Sequence, residues 1–163
     1  MTVFWNGISF LWALGVVAVL AIVLGVRAFV EYKKLPAEAA QEYDYRVAEN
    51  LHDNKTDKEQ YVRAYRRAHA PRATAYLAAT LAAISLLTFP VFSMINLALY
   101  GLWKASDESR VFEPGYLVWE FSIFFLLILM WALIGAAGAR RYHKNAPGLM
   151  RDELIKERMA ADE

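Results

Sequence analysis

Three apolar stretches, residues 7–26, 73–103 and 115–139, contain a single charged side chain, Glu120. A helix needs roughly 20 apolar residues to cross about 30 Å of hydrocarbon, and each stretch is at least that long. In lipid every backbone N–H and C=O must find its partner inside the chain, and a helix satisfies that requirement alone. The expected fold is therefore an all-α membrane protein with three transmembrane helices, a helical cytoplasmic connection and a short cytoplasmic C-terminal helix. The divisions expected are residues 1–26 (first span), 27–72 (connection), 73–103 (second span), 104–114 (outer loop), 115–139 (third span) and 140–163 (tail).

Composition agrees with this solvent. A hydrophobic content of 58% with 14% aromatics is rich for a soluble domain, and the charged 21% is segregated by region. Residues 27–72 hold ten Lys/Arg and eight Asp/Glu, and residues 140–163 hold six and five. The net charge of +1 hides that partition and gives no reason to expect nucleic-acid binding. The chain has no cysteine, which excludes disulfides, thiolate metal sites and cysteine nucleophiles supplied by it alone.

Orientation follows from the basic residues. Sixteen of the eighteen Lys/Arg lie in the long connection and the tail, leaving Lys104 and Arg110 in the loop between spans two and three. The positive-inside rule places connection and tail in the cytoplasm, the 104–114 loop outside, and the N-terminus outside. Positive charge follows the first span instead of preceding it, the reverse of a cleavable signal peptide, so that span is expected to remain as an anchor. The expected location is the bacterial inner membrane. Phe4, Trp5, Tyr32, Tyr100, Trp103, Tyr116, Trp119 and Tyr142 bracket the spans as interfacial belts.

The second span is over-long, about 46 Å as straight helix, and Pro90 near its middle predicts a kink. Thr88 is expected to help satisfy the backbone that Pro90 frees. The span's inner end is expected to run on continuously from the helix before it, with Pro71 bending the chain on entry. In the connection, Pro36 predicts the start of a helix over 36–51. Residues 52–55 form the turn, and Thr56 with Glu59 reads as a capping box opening the next helix. On that helix Tyr61 and Tyr65 share a face, with Arg63, Arg66 and Arg67 around it, a candidate partner-docking surface. Leu149, Met150, Leu154, Ile155 and Met159 give the tail a weak amphipathic pattern, suited to lying on the membrane or on a partner. Small-residue spacings at Ala75, Ala79 and Ala83, with Ala78 and Ala82 beside them, at Ala132 and Ala136, at Gly135 and Ala139, and at Ala21 and Gly25 are candidate helix contacts.

Candidate chemistry is sparse. Glu120, one turn below the outer interface, is a functional candidate because charge is costly in hydrocarbon. Asn96 lies at a comparable depth on the neighbouring span, which makes Asn96–Glu120 a candidate intramembrane polar pair. His52, His69 and His143 all fall outside the spans, without ligand spacing, and read as solvated or interface residues. Arg140, Arg141, His143 and Lys144 form a candidate lipid-headgroup collar. No catalytic, cofactor-binding or metal residue is assigned, and no cofactor is expected. The favoured reading is a non-catalytic accessory subunit, structural, regulatory or assembly-related, of a larger bacterial inner-membrane complex of energy-transducing or respiratory type. Its partners are membrane lipids and other integral membrane subunits. The alternative is a small membrane enzyme or carrier component for a lipophilic substrate or ion, using Glu120 and Asn96.

Overall fold

The computed structural model describes residues 2–51 and 56–161, with side chains from residue 10 onward. Among these residues the chain is all-α: α1 (Thr2–Ala48), α2 (Lys58–His69), α3 (Arg72–Ala105), α4 (Leu117–Lys144) and α5 (Met150–Ala161), with a 3-10 turn at Arg110–Phe112. Three of these helices, α1, α3 and α4, are long and apolar enough to cross a membrane. The chain divides into two compact units, Met1–Val23 with Leu77–Arg140, and Leu24–Tyr76 with Arg141–Glu163.

The first unit holds the apolar parts of the three long helices. Here α3 and α4 run antiparallel, joined by polar rungs. Trp119 Nε1 donates to Asn96 Oδ1 at 3.2 Å, and Trp131 Nε1 donates to Thr88 Oγ1 at 3.0 Å. Farther along, Gly138 lies so close to Thr80 that a Cβ there would collide with the hydroxyl. The close approach is therefore at Gly138, not at the spacings read from sequence. Ala75, Ala79, Ala132, Ala136 and Ala139 are exposed, and a Cβ on Gly135 would meet open space. Ala78 is buried, as is Ala21 on α1. Phe10 of α1 meets Phe92 of α3 with ring centroids 6.4 Å apart.

Pro90 lies inside α3. Thr88 donates to the Ile84 carbonyl at 2.6 Å, two residues before the Leu86 carbonyl that Pro90 leaves free. Its role is the rung to Trp131, not repair of the proline. The α3–α4 connection is shaped by local chemistry. Asp107 and Glu108 take positive φ, and Glu108 N–H reaches back to Trp103 O at 3.1 Å to close the helix end. The turn Glu113-Pro114-Gly115-Tyr116 then opens α4, with Pro fixing one φ and Gly115 supplying φ +83.

The second unit corrects three boundaries. First, α1 runs through Pro36 without a break, so no helix starts there. An interior proline costs about 3 kcal/mol. Ala28, Leu35 and Ala39 are buried on both sides of it, and that packing outweighs the missing bond. The helix ends at Ala48, and Asn50, with a φ of 54, closes a left-handed cap beyond it. Leu51 N–H bonds Arg46 O at 2.9 Å and Asn50 N–H bonds Val47 O at 3.2 Å. The expected turn at 52–55 lies outside the described residues.

Second, α2 is capped one residue later than read, with Asp57 as N-cap. Gln60 Oε1, not Glu59, accepts the Asp57 N–H at 3.1 Å. Third, α2 and α3 are not continuous: Ala70 is extended (ψ 138), as a residue before proline prefers, and Pro71 separates the two helices.

Candidate functional site

Helix α2 is the hub of the second unit. It runs antiparallel to α1: Lys58 Nζ reaches Asp44 at 2.7 Å, Tyr61 packs edge-on against Tyr43 at 5.5 Å, and Arg66 Nη2 donates to Tyr32 Oη at 2.6 Å. On its other side it runs antiparallel to α5. Arg63 Nε donates to Glu157 at 2.7 Å, Arg67 reaches Glu157 at 2.8 Å and Glu153 at 3.9 Å, and Arg158 donates to Thr56 Oγ1 at 2.9 Å. Thr56 is thus buried under α5 and holds its far end, which is why it does not serve as the helix cap.

The tail helix is corrected accordingly. It lies on the chain's own α2, and the face it buries is acidic: Glu153 and Glu157 are about 5% exposed, while Leu149, Ile155 and Met159 point outward. Burying a carboxylate is costly unless it is paired. Here Glu153 accepts from Lys156 at 2.6 Å and from Gly148 N–H at 3.1 Å. Those partners, Lys156 foremost and Arg67 last, hold the Glu153 carboxyl below the ordinary carboxylate range against the opposing effect of burial. The bond to Glu157 raises the Arg63 guanidinium above its usual value.

The arginines of α2 also line a cavity of about 610 Å³. Arg63, Arg66, Arg67 and Arg72 contribute, with Tyr32 and Glu153 in the wall. Arg66 lies over the Tyr32 ring, 5.0 Å from its centroid, and its Nε is buried without a hydrogen-bond partner. Arg72 Nη2 donates to Tyr142 O at 2.8 Å, and its guanidinium lies near the rings of Tyr142 and Tyr76 at 5.3 and 5.8 Å. Asn145 Nδ2 donates to Tyr76 Oη at 3.1 Å.

The other sequence candidates fall elsewhere. Of the proposed docking surface, Tyr61 is buried and Tyr65 half-buried; they stack on one face at 6.2 Å, and burial pushes both phenols above their ordinary pKa. Arg63 and Arg67 are engaged by α5. Both arginines keep about half of their side-chain surface exposed. Asn96 pairs with Trp119 and with the Phe92 carbonyl at 2.8 Å, not with Glu120. Glu120 is exposed on α4 and bonds no described side chain. Arg140, Arg141, His143 and Lys144 occupy the exposed end of α4. His69 stacks on Tyr65 at 4.1 Å, His143 is exposed beside Tyr142, and His52 lies outside the described residues. Among the described residues no group of three His, Cys, Asp or Glu converges as a metal site would require.

Sequence reading missed the acid–base clasp between α2 and α5 and the Trp131–Thr88 rung. The clasp had a signal: Glu153 and Glu157 are one turn apart, as are Arg63 and Arg67, in opposite-sign pairs. Trp131 in mid-span had one too, since an indole N–H deep in lipid needs an acceptor. No family model matches this chain, and no curated protein or solved structure matches it significantly.

Proposed function

We propose that the chain is a non-catalytic accessory subunit of a larger integral-membrane complex. The observation that carries this reading is the outer half of α4. Phe121, Phe124, Phe125, Leu126 and Leu129 are all exposed, and an apolar groove of about 490 Å³ runs over Leu117, Val118, Phe121, Ser122, Phe125 and Leu126. Bulky aromatic relief of this kind suits another helix, because association within lipid depends on shape-matched packing and not on escape from water. The segregation of Lys and Arg supports an outside N-terminus and a cytoplasmic second unit, and the bacterial inner membrane is the location we favour. An energy-transducing or respiratory complex is the class we favour, with membrane lipids and neighbouring membrane subunits as the partners. The enzyme or carrier alternative would use Glu120 and Asn96; Asn96 bonds Trp119 and the Phe92 carbonyl, and Glu120 is exposed on α4.

The test is purification of the tagged chain in mild detergent, beside Ser122→Trp, which fills the groove. Integral-membrane partners at fixed stoichiometry with the wild type, lost or depleted with Ser122→Trp, are expected. A chain that purifies alone, or as a homo-oligomer with its own turnover, refutes the proposal. Glu120→Gln should leave assembly and turnover of the parent complex near wild type.

A further inference from the structure

We infer that the arginine-lined cavity of the second unit binds a phosphate-type oxyanion, the shared chemistry of a phospholipid headgroup and of a free phosphate compound. Such a site is independent of the accessory-subunit reading.

The charges lining this cavity are unequal in their commitments. Arg63 and Arg67 are taken up by Glu157 and Glu153. Glu153 in turn is neutralised by Lys156, Arg67 and the Gly148 N–H, so it contributes little repulsion toward an anion. Arg66 and Arg72 have no carboxylate partner among the described residues. Both are nevertheless held in place. Arg66 is fixed by the Tyr32 hydroxyl and ring, and Arg72 by the Tyr142 carbonyl and two tyrosine rings.

Arg66 carries the second, independent sign. Its Nε is buried and bonds nothing, and buried donors are rarely left so in native proteins. A planar guanidinium presents parallel N–H donors that fit phosphate oxygens in pairs, and immobilised forks lose little entropy on binding. At about 610 Å³ the cavity is far larger than one phosphate group requires, so the remainder of the ligand has room. Its place along the chain fits as well. Arg72 is the first residue of α3, immediately before an uncharged stretch, and Tyr142 lies in the last turns of α4. Headgroup phosphates gather at that boundary. This site is distinct from the exposed Arg140–Lys144 segment, which does not line it.

The experiment uses the full chain in neutral detergent, with two probes. Retention of phosphatidylglycerol against phosphatidylcholine is read by native mass spectrometry, and inorganic phosphate is titrated by calorimetry. The expected result is one saturable site in at least one arm. It should be weakened at least tenfold, about 1.4 kcal/mol, by Arg66→Gln and by Ala146→Asp. Ala146→Asp places an acid on the cavity wall without removing a side-chain bond, so it decides the matter if Arg66→Gln does not fold. Arg110→Gln, on the α3–α4 connection, should bind as wild type does. A response in the lipid arm alone assigns a headgroup; a response to phosphate assigns a free anion. No saturable binding in either arm, binding unaltered by Ala146→Asp, or equal loss with Arg110→Gln overturns the inference.

Discussion

Thr88 and Trp131 offer the sharpest test of how the spans are held together. Thr88 is fully buried, donates to the Ile84 carbonyl at 2.6 Å and accepts from Trp131 Nε1 at 3.0 Å. Thr88→Val keeps the shape but deletes the acceptor, leaving an indole N–H at mid-span with nothing to bond. Stranding a buried donor costs about 1–3 kcal/mol, though the separated helices in lipid also find substitute partners. Measured side-chain bonds between membrane helices therefore average about 0.6 kcal/mol and reach about 1.7. The rung joins a donor and an acceptor out of reach of water at good distance, so the upper half of that range is expected. Trp131→Phe removes the N–H and keeps most of the ring. The double-mutant cycle, followed by equilibrium unfolding in mixed micelles, should give a coupling of about 1 kcal/mol. If the two substitutions add to within about 0.3 kcal/mol, the rung contributes nothing and the inference from geometry fails.

Other outcomes follow from the same reasoning. Gly138→Val should destabilise by about 1–3 kcal/mol through collision with Thr80, while Gly135→Ala, facing open space, should be near neutral in the same assay. Asp57→Ala should lower protection of α2 in hydrogen exchange by about 1 kcal/mol. Thr56→Ala should leave α2 helical and loosen α5, because it removes the acceptor of Arg158. Glu153 titrates below its ordinary value, so its contribution is complete above the unfolded pKa of about 4.3 and fades as pH falls through the lower folded value. Spin labels on α2 and α5 should therefore report a fixed separation at pH 7 and a broadened one in that acidic window; a distribution unchanged down to pH 2 would refute the clasp. A reporter active only in the periplasm, fused after Glu163, should be silent, and activity would reverse the orientation proposed for both units.

The sequence alone determined the solvent and the helices that follow from it. Residues 7–26, 73–103 and 115–139 are apolar beyond what any soluble core would need, and in lipid only backbone self-satisfaction remains, so α1, α3 and α4 were legible. Pro71 was legible as a bend, through its fixed φ and missing N–H, but not as the break it makes between α2 and α3. What the sequence could not decide was which faces meet. Pro36 reads locally as a start, yet burial of Ala28, Leu35 and Ala39 carries the helix through it. Thr56 has the chemistry of a cap, yet Arg158, remote in sequence, claims its hydroxyl. The tail looked weakly amphipathic through Leu149, Met150, Leu154, Ile155 and Met159, suited to the membrane or a partner. Only the juxtaposition with α2 shows that its inner face is Glu153 and Glu157. Asn96 and Glu120 share a depth, but rotation of α4 about its axis brings Trp119 to Asn96 instead. Periodicity fixes where along a helix a residue lies; the packing of one helix against another fixes which way it faces. The cavity around Arg66 and Arg72, assembled from four separate segments, exists only at that second level.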